Sequence, residues 1–141
     1  MQRRTLRESV RDLAHYLGKM AGVEVPIRTG PPPADGAEVP ILIGDEAGQR
    51  FGPPGVSAPF KQGLRVVADP ARGIGLYGES ALASSYAIYT LLDQLGCRWF
   101  FPSELGEVIP AAPVLAVAEQ DRREAPYTIY RGGSGYAFDD D

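Results

Sequence analysis

The sequence predicts an α+β domain. Two stretches, 5–22 and 80–95, have the apolar spacing of α-helices, and short runs of β-forming residues lie between and after them. Two of these runs, 64–68 and 73–77, are close enough in the chain to form a hairpin. With 141 residues, of which 44% are apolar and 23% charged, the chain is long enough for one domain with its own core.

The first helix is predicted to begin at Thr5, which forms a capping-box pattern with Glu8, and to end at Gly22. Apolar residues at helical spacing mark its buried face. They are Leu6, Val10, Leu13, Ala14, Leu17 and Ala21. His15, the only histidine, falls on the opposite, polar face, so we interpret it as a surface residue and not as a ligand.

Two further short strands are expected before the hairpin. The run 23–27 is a short strand candidate, and the apolar run 39–43 has the character of a central strand. Glycine and proline then dominate 48–59, which predicts a surface loop.

The segment 73–78, Gly-Ile-Gly-Leu-Tyr-Gly, matches the glycine spacing of a dinucleotide-binding turn. Such a site needs its glycines between a strand and a helix. Here the turn comes earlier, at 69–72, where Asp followed by Pro is typical of a β-turn. We therefore interpret 73–78 as a strand of the hairpin and expect no nucleotide cofactor.

The second helix, over 80–95, is predicted to end at Gly96. Its apolar stripe is broad enough for the helix to be largely covered by the sheet. Ser84 and Ser85 are interpreted as small residues that let the helix approach the sheet, because no histidine lies nearby in sequence.

The chain after the second helix holds short strand candidates at 108–110, 114–117 and 127–130. The polar segment 120–124 is interpreted as a linker. We therefore expect an α+β domain over 1–119, followed by a linker and the start of another domain over 120–141.

Composition argues against several classes of function. The net charge of −4, without a basic stripe, disfavours nucleic-acid binding. Cys97 is the only cysteine, which excludes an intrachain disulfide and a cysteine-based metal site, and we expect it to be a small buried residue. Glu104 and Glu107 form a carboxylate pair of the kind used in glycoside hydrolysis, but two loop glutamates are more often solvated charges. We predict no catalytic residue and no metal.

The sequence contains no apolar run of the ~18 residues that a membrane span needs. The N-terminus lacks a hydrophobic stretch after its basic residues, so no signal peptide is predicted. At face value this favours the cytoplasm, although a piece of a secreted protein has the same appearance, so localisation stays open.

The aromatic run after Gly96 is the candidate functional surface. Alternation along an extended chain puts Trp99 and Phe101 on one side, and Arg98 and Phe100 on the other. With apolar groups on both sides, one face is expected to pack on this domain and the other on a partner. Direct stacking of Trp99 on a sugar is the alternative.

The segment 91–102, Leu-Leu-Asp-Gln-Leu-Gly-Cys-Arg-Trp-Phe-Phe-Pro, is followed at 106–110 by Gly-Glu-Val-Ile-Pro. These residues resemble the non-catalytic domain that precedes the barrel in bacterial α-glucuronidase-like glycoside hydrolases, and β-N-acetylhexosaminidases carry a similar domain. The resemblance covers residues 4–131. It implies a single mixed β-sheet with two α-helices packed on one face, in a domain without catalytic residues.

The same resemblance implies a function and a partner. The chain would be an accessory domain in polysaccharide degradation, packing against and supporting a catalytic barrel, and not an enzyme by itself. Segment 125–132 is similar to the entry into the first barrel strand, and Arg131 matches an arginine that contacts sugar in the hexosaminidases. The alternative is a stand-alone carbohydrate-binding or protein-interaction module, which would self-associate weakly. Proteins of these families are often exported.

Overall fold

A computed structural model describes residues 2–30, 39–100, 104–112 and 116–125. Within them the chain forms three α-helices, which are α1 (Gln2–Ala21), α2 (Asp45–Phe51) and α3 (Ala81–Gln94). The strands are β1 (Ile41–Ile43), β2 (Leu64–Asp69), β3 (Gly73–Gly78), β4 (Arg98–Trp99), β5 (Glu107–Val108) and β6 (Gln120–Glu124). The predicted α+β class is confirmed.

Four strands form a mixed sheet in the order β1-β3-β2-β6. Strand β1 is parallel to β3, whereas β2 is antiparallel to both β3 and β6. The remaining strands, β4 and β5, pair separately as a two-stranded ribbon. The main sheet is therefore mixed, as expected, and the ribbon is an addition to it.

Helices α1 and α3 pack on one face of this sheet, as expected. Side chains that alternate along β2, such as Leu64 and Val66, join Leu13 of α1 and Ile88 and Leu91 of α3 in one buried cluster. Burial of apolar surface between these layers stabilises the domain at about 25 cal/mol per Å².

Helix α1 begins earlier than predicted. It starts at Gln2, so Thr5 and Glu8 lie inside the helix and the predicted capping box is wrong. Leu13 and Leu17 of the predicted apolar face are buried, and His15 is exposed on the opposite side, as predicted.

The hairpin of β2 and β3 has the predicted turn. Asp69 Oδ1 accepts the backbone N–H of Ala71 at 2.8 Å and that of Arg72 at 3.1 Å. These hydrogen bonds, led by the one from Ala71, lower the pKa of Asp69 below its ordinary value. Gly73 follows with φ +95°, a conformation that glycine adopts without strain.

Three predictions between α1 and β2 are wrong. Strand β1 lies at an edge of the described four-stranded sheet, and not at its centre as was expected of 39–43. Segment 23–27 is not a strand, and the predicted loop 48–59 begins inside helix α2. Helix α2 covers the second face of the sheet, where Phe51 is buried with Val67 and Tyr77. A Cβ on Gly75 would lie 2.7 Å from the Phe51 ring, so this glycine of β3 gives the ring its space.

The predicted linker over 120–124 is also wrong, because this segment is strand β6, paired along β2. No strand was predicted here because every residue of the segment is polar. The strand candidate 108–110 contributes only Val108, to β5, and the described part of 114–117 is not a strand. Candidate 127–130 lies outside the described residues.

Arg65 of β2 holds β6 in place. Its guanidinium is buried on the α2 face of the sheet, and its Nε and Nη2 donate to the two carboxylate oxygens of Asp121 at 2.8 and 2.9 Å. Nη1 donates to the Tyr77 hydroxyl at 2.6 Å and to the Phe51 carbonyl at 2.9 Å. The hydrogen bonds from Arg65 lower the pKa of Asp121, although partial burial opposes them.

The other face of β6 is attached to the helix layer. The side-chain amides of Gln120 and Gln94, the last residue of α3, donate to each other at 2.9 Å in both directions. Alternation along the strand thus turns Gln120 to one layer and Asp121 to the other.

We predict that Asp121→Asn lowers the free energy of unfolding at neutral pH by about 1–3 kcal/mol, because the Arg65 guanidinium stays buried without its ionic partner. Urea unfolding measures the change. Glu124→Gln on the same strand is the control: it removes only the surface ion pair with Arg122 and should cost no more than about 0.5 kcal/mol. Equal effects of the two substitutions would contradict this assignment.

We also predict that the contribution of Asp121 to the free energy of unfolding is lost at acidic pH. Because its pKa is lower in the folded than in the unfolded chain, the carboxylate stabilises the fold above about pH 4, the ordinary value. This stabilisation is lost as the pH falls through the folded-state pKa. The stability difference between the wild type and Asp121→Asn should therefore be constant near neutrality and shrink below about pH 4. Urea unfolding at a series of pH values tests it, and a difference that stays constant into acid would be the contrary result.

Candidate interdomain surface

The ribbon of β4 and β5 begins where α3 ends. Gly96, at φ +96°, turns the chain out of the helix, and its N–H donates to the Asp93 carbonyl at 3.0 Å. Cys97 follows, and its N–H donates to the Leu92 carbonyl at 3.0 Å. These two hydrogen bonds thus fix the direction in which segment 91–102 leaves the helix.

The strand register decides which ribbon side chains share a face. Trp99 is opposite Glu107, and Arg98 is opposite Val108. Opposite residues of an antiparallel pair point to the same side. The ribbon therefore has an inner face with Trp99 and Glu107, and an outer face with Arg98 and Val108.

Trp99 packs the inner face of the ribbon against α1 and α3. Its ring meets Tyr16 of α1 at 5.1 Å between centroids and Tyr89 of α3 at 6.4 Å, both edge to face. Burial raises the pKa of Tyr89, whose hydroxyl donates to Asp12 Oδ2 at 2.7 Å. That hydrogen bond connects α3 to α1 next to the Trp99 ring.

Glu107 adds a polar attachment to α1. Its two carboxylate oxygens accept from the Tyr16 hydroxyl at 2.9 Å and from Lys19 Nζ at 3.1 Å. Burial raises the pKa of Tyr16 to about 12. Burial opposes ionisation of Glu107, but the hydrogen bonds from Tyr16 and Lys19 outweigh it and its pKa is lowered. Glu107 is therefore an ionised anchor of the ribbon; the side chain of Glu104 lies outside the described part of the molecule.

The outer face and the turn of the ribbon expose apolar side chains. Phe100 is 57% exposed, Val108 47% and Leu105, in the turn over Glu104–Gly106, 90%. Arg98 borders them and forms an ion pair with Asp93 at 3.1 Å. We call Arg98, Phe100, Leu105 and Val108 the outer ribbon surface.

The structure divides the aromatic run proposed as a partner surface. Trp99 faces this domain, whereas Arg98 and Phe100 face outward. Phe101 and Arg131 lie outside the described residues. Sequence reasoning missed Leu105 and Val108, because only the strand register places Val108 beside the aromatic run.

The remaining candidate residues have structural surroundings. Cys97 is buried with its Sγ 3.7 Å from Met20 Sδ, and burial raises the pKa of its thiol. Ser84 and Ser85 are buried and donate to backbone carbonyls one turn earlier in α3. Within the described ranges, no three potential ligand side chains come together to hold a metal ion. No described helix is both long and apolar enough to cross a membrane.

We predict that Trp99→Ala lowers the free energy of unfolding by about 2 kcal/mol, because the ribbon loses its contact with both helices. The neighbouring Phe100→Ala is the matched control and should change stability by no more than about 0.5 kcal/mol, since its ring is exposed. Denaturant unfolding of both variants measures the contrast. A larger loss for Phe100→Ala would mean that the two faces are assigned the wrong way round.

Comparisons with protein-family models, with curated proteins and with solved structures found no match.

Proposed function

We propose that this chain is a non-catalytic accessory domain of a carbohydrate-active glycoside hydrolase, which packs against the catalytic barrel through the outer ribbon surface. One observation carries the proposal. The two stretches whose residues resemble such domains, 91–102 and 106–110, include both ribbon strands with the exposed Phe100 and Val108.

The ribbon suits a docking role because its inner face is attached to the rest of the domain. Trp99 and Glu107 attach its inner face to α1 and α3, so its outer side chains are held in place before any partner arrives. A surface arranged in advance loses less conformational entropy on binding. This supports a permanent packing role for the ribbon.

The composition of the surface suits a protein partner. Exposed apolar side chains on one element favour association, since burying them is favourable by about 25 cal/mol per Å². Phe100 supplies an aromatic anchor, and the Arg98–Asp93 ion pair lies beside it as part of a polar rim. A barrel domain of the same protein meets these requirements.

The deciding experiment is to read the gene past Asp141 and express the continuous protein. We expect the frame to encode a (β/α)-barrel. In that protein the double substitution Phe100→Ser, Val108→Ser should separate the unfolding transitions of the two domains in calorimetry. Val39→Ser is the control, because Val39 is also exposed but is not part of the outer ribbon surface. A frame without a barrel, or unchanged transitions in the double variant, would contradict the proposal.

The isolated chain should show no turnover of aryl-glycosides or uronic-acid conjugates. Turnover that is lost in Glu104→Gln or Glu107→Gln would instead identify the two carboxylates as catalytic.

Self-association is a second candidate, favoured by the same exposed side chains. Without a barrel to cover the outer ribbon surface, two copies of the chain can bury it against each other. Light scattering at increasing concentration tests this. A strict monomer argues against it, and a dimer that Phe100→Ser dissociates supports it.

A further inference from the structure

Strand β6 lies at an edge of the four-stranded sheet. In the order β1-β3-β2-β6, the described strands give it a neighbour on one side only, which is β2. The backbone N–H and C=O groups that point away from β2 can therefore pair with a further strand. Residues 121–123, in the middle of β6, are exposed, so a partner can reach this edge.

On each side of the sheet, β6 carries one cation and one anion. Asp121 and Arg123 lie on the side of α2, where Arg123 Nη2 donates to Asp121 Oδ2 at 3.2 Å. Arg122 and Glu124 lie on the side of the helix layer, where Arg122 Nη2 donates to Glu124 Oε1 at 2.7 Å. On both sides the two charges are therefore two residues apart, with opposite signs.

An antiparallel second copy of β6 would match these charges. If Arg122 lies opposite Arg122 of the second copy, all five residues of the strand are paired, and Asp121 of each copy faces Arg123 of the other. A shift of two residues keeps the same side chains on each side of the sheet. It would place either Asp121 opposite Asp121 or Arg123 opposite Arg123, and like charges in those positions are destabilising. The charges therefore select one register.

Two Arg122 side chains meet at the centre of this register, and glutamates balance their charges. Each Arg122 donates to Glu124 of its own strand, and Glu124 of the second copy is its diagonal neighbour. Two cations and two anions are then together on the side of the helix layer. Charged side chains protect an edge strand from pairing when like charges meet, and in this register the opposite charges compensate.

We propose that two copies of the chain associate by antiparallel pairing of their β6 strands, about a two-fold axis that passes between the two Arg122 residues. The pairing joins the two sheets into one continuous sheet, with both helix layers on the same side. Five residues from each copy form a small contact, so we expect a dissociation constant of roughly 100 μM. The edge shares no residue with the outer ribbon surface, so the proposal does not depend on the accessory role.

Sedimentation equilibrium of the full chain, from about 10 μM to about 1 mM, measures the association. Arg123→Glu places a carboxylate opposite Asp121 of the second copy, and it should weaken the dimer by at least about tenfold. Arg98→Glu is the matched control. It reverses an exposed arginine of the outer ribbon surface and should leave the dissociation constant unchanged. The reverse pattern would assign the association to the ribbon and contradict the proposal.

Cross-linking with a short bismaleimide tests the register. Arg122→Cys brings two thiols opposite each other across the axis, where the Cβ atoms of facing residues are about 5 Å apart. Glu124→Cys is the control on the same strand and the same side, and in this register its two thiols are about 14 Å apart along the strands. The native Cys97 is buried and should not react. Only Arg122→Cys should give a cross-linked dimer.

Two further results would overturn the proposal. One is a strict monomer up to about 1 mM, which is expected if another part of the chain occupies the edge of β6. The other is equal cross-linking of Arg122→Cys and Glu124→Cys, which would exclude the register. Circular dichroism of each variant confirms that the fold is retained. Both cysteine substitutions leave the Arg65–Asp121 pair in place, so they decide the question even if Arg123→Glu does not fold.

Discussion

Arg65 lies in a central strand with only 7% of its surface exposed, where an unpaired cation would cost several kcal/mol. Its donors are satisfied by separate parts of the chain: Asp121 on β6, the Tyr77 hydroxyl on β3, and carbonyls at the end of α2. The buried Arg65 guanidinium needs all of these partners. Its pairing with Asp121 therefore holds the wholly polar segment 120–124 at the edge of the sheet. The guanidinium also fixes the end of α2 on the second face, so the layers depend on one another.

At each end of α3 a carboxylate holds a backbone segment that carries an exposed aromatic ring. At the C-terminal end of α3, Glu107 accepts hydrogen bonds from Tyr16 and Lys19, and the ribbon turns Phe100 outward. At the N-terminal end, Glu79 accepts two backbone N–H groups, and the turn exposes Phe60. In each case a carboxylate bonded to a distant segment fixes the backbone that presents an aromatic ring. A partner of the ribbon would therefore require little further ordering of the protein.

Local patterns predicted part of the candidate site. Alternation correctly put Trp99 on the opposite side from Arg98 and Phe100, because residues in an extended chain point alternately to either side. It did not show which side faces the domain. That depends on Tyr16 and Tyr89, whose rings meet Trp99 only after α1 and α3 have packed together. The turn at Phe60 and Lys61 had no sequence signal, since Glu79 and Ser80, later in the chain, hold its positive φ values.

The sequence by itself determined the two long helices, the β2–β3 hairpin and the α+β class, because apolar periodicity and the Asp–Pro turn act over a few residues. Tertiary structure alone decided the rest. Segment 120–124 became a strand because Asp121 pairs with a buried Arg65, and helix 45–51 takes its place on the second face because Phe51 fills the space over Gly75. Segment 23–27 has β-forming residues but no strand, since propensity by itself does not decide strand formation. Such long-range contacts leave no local pattern.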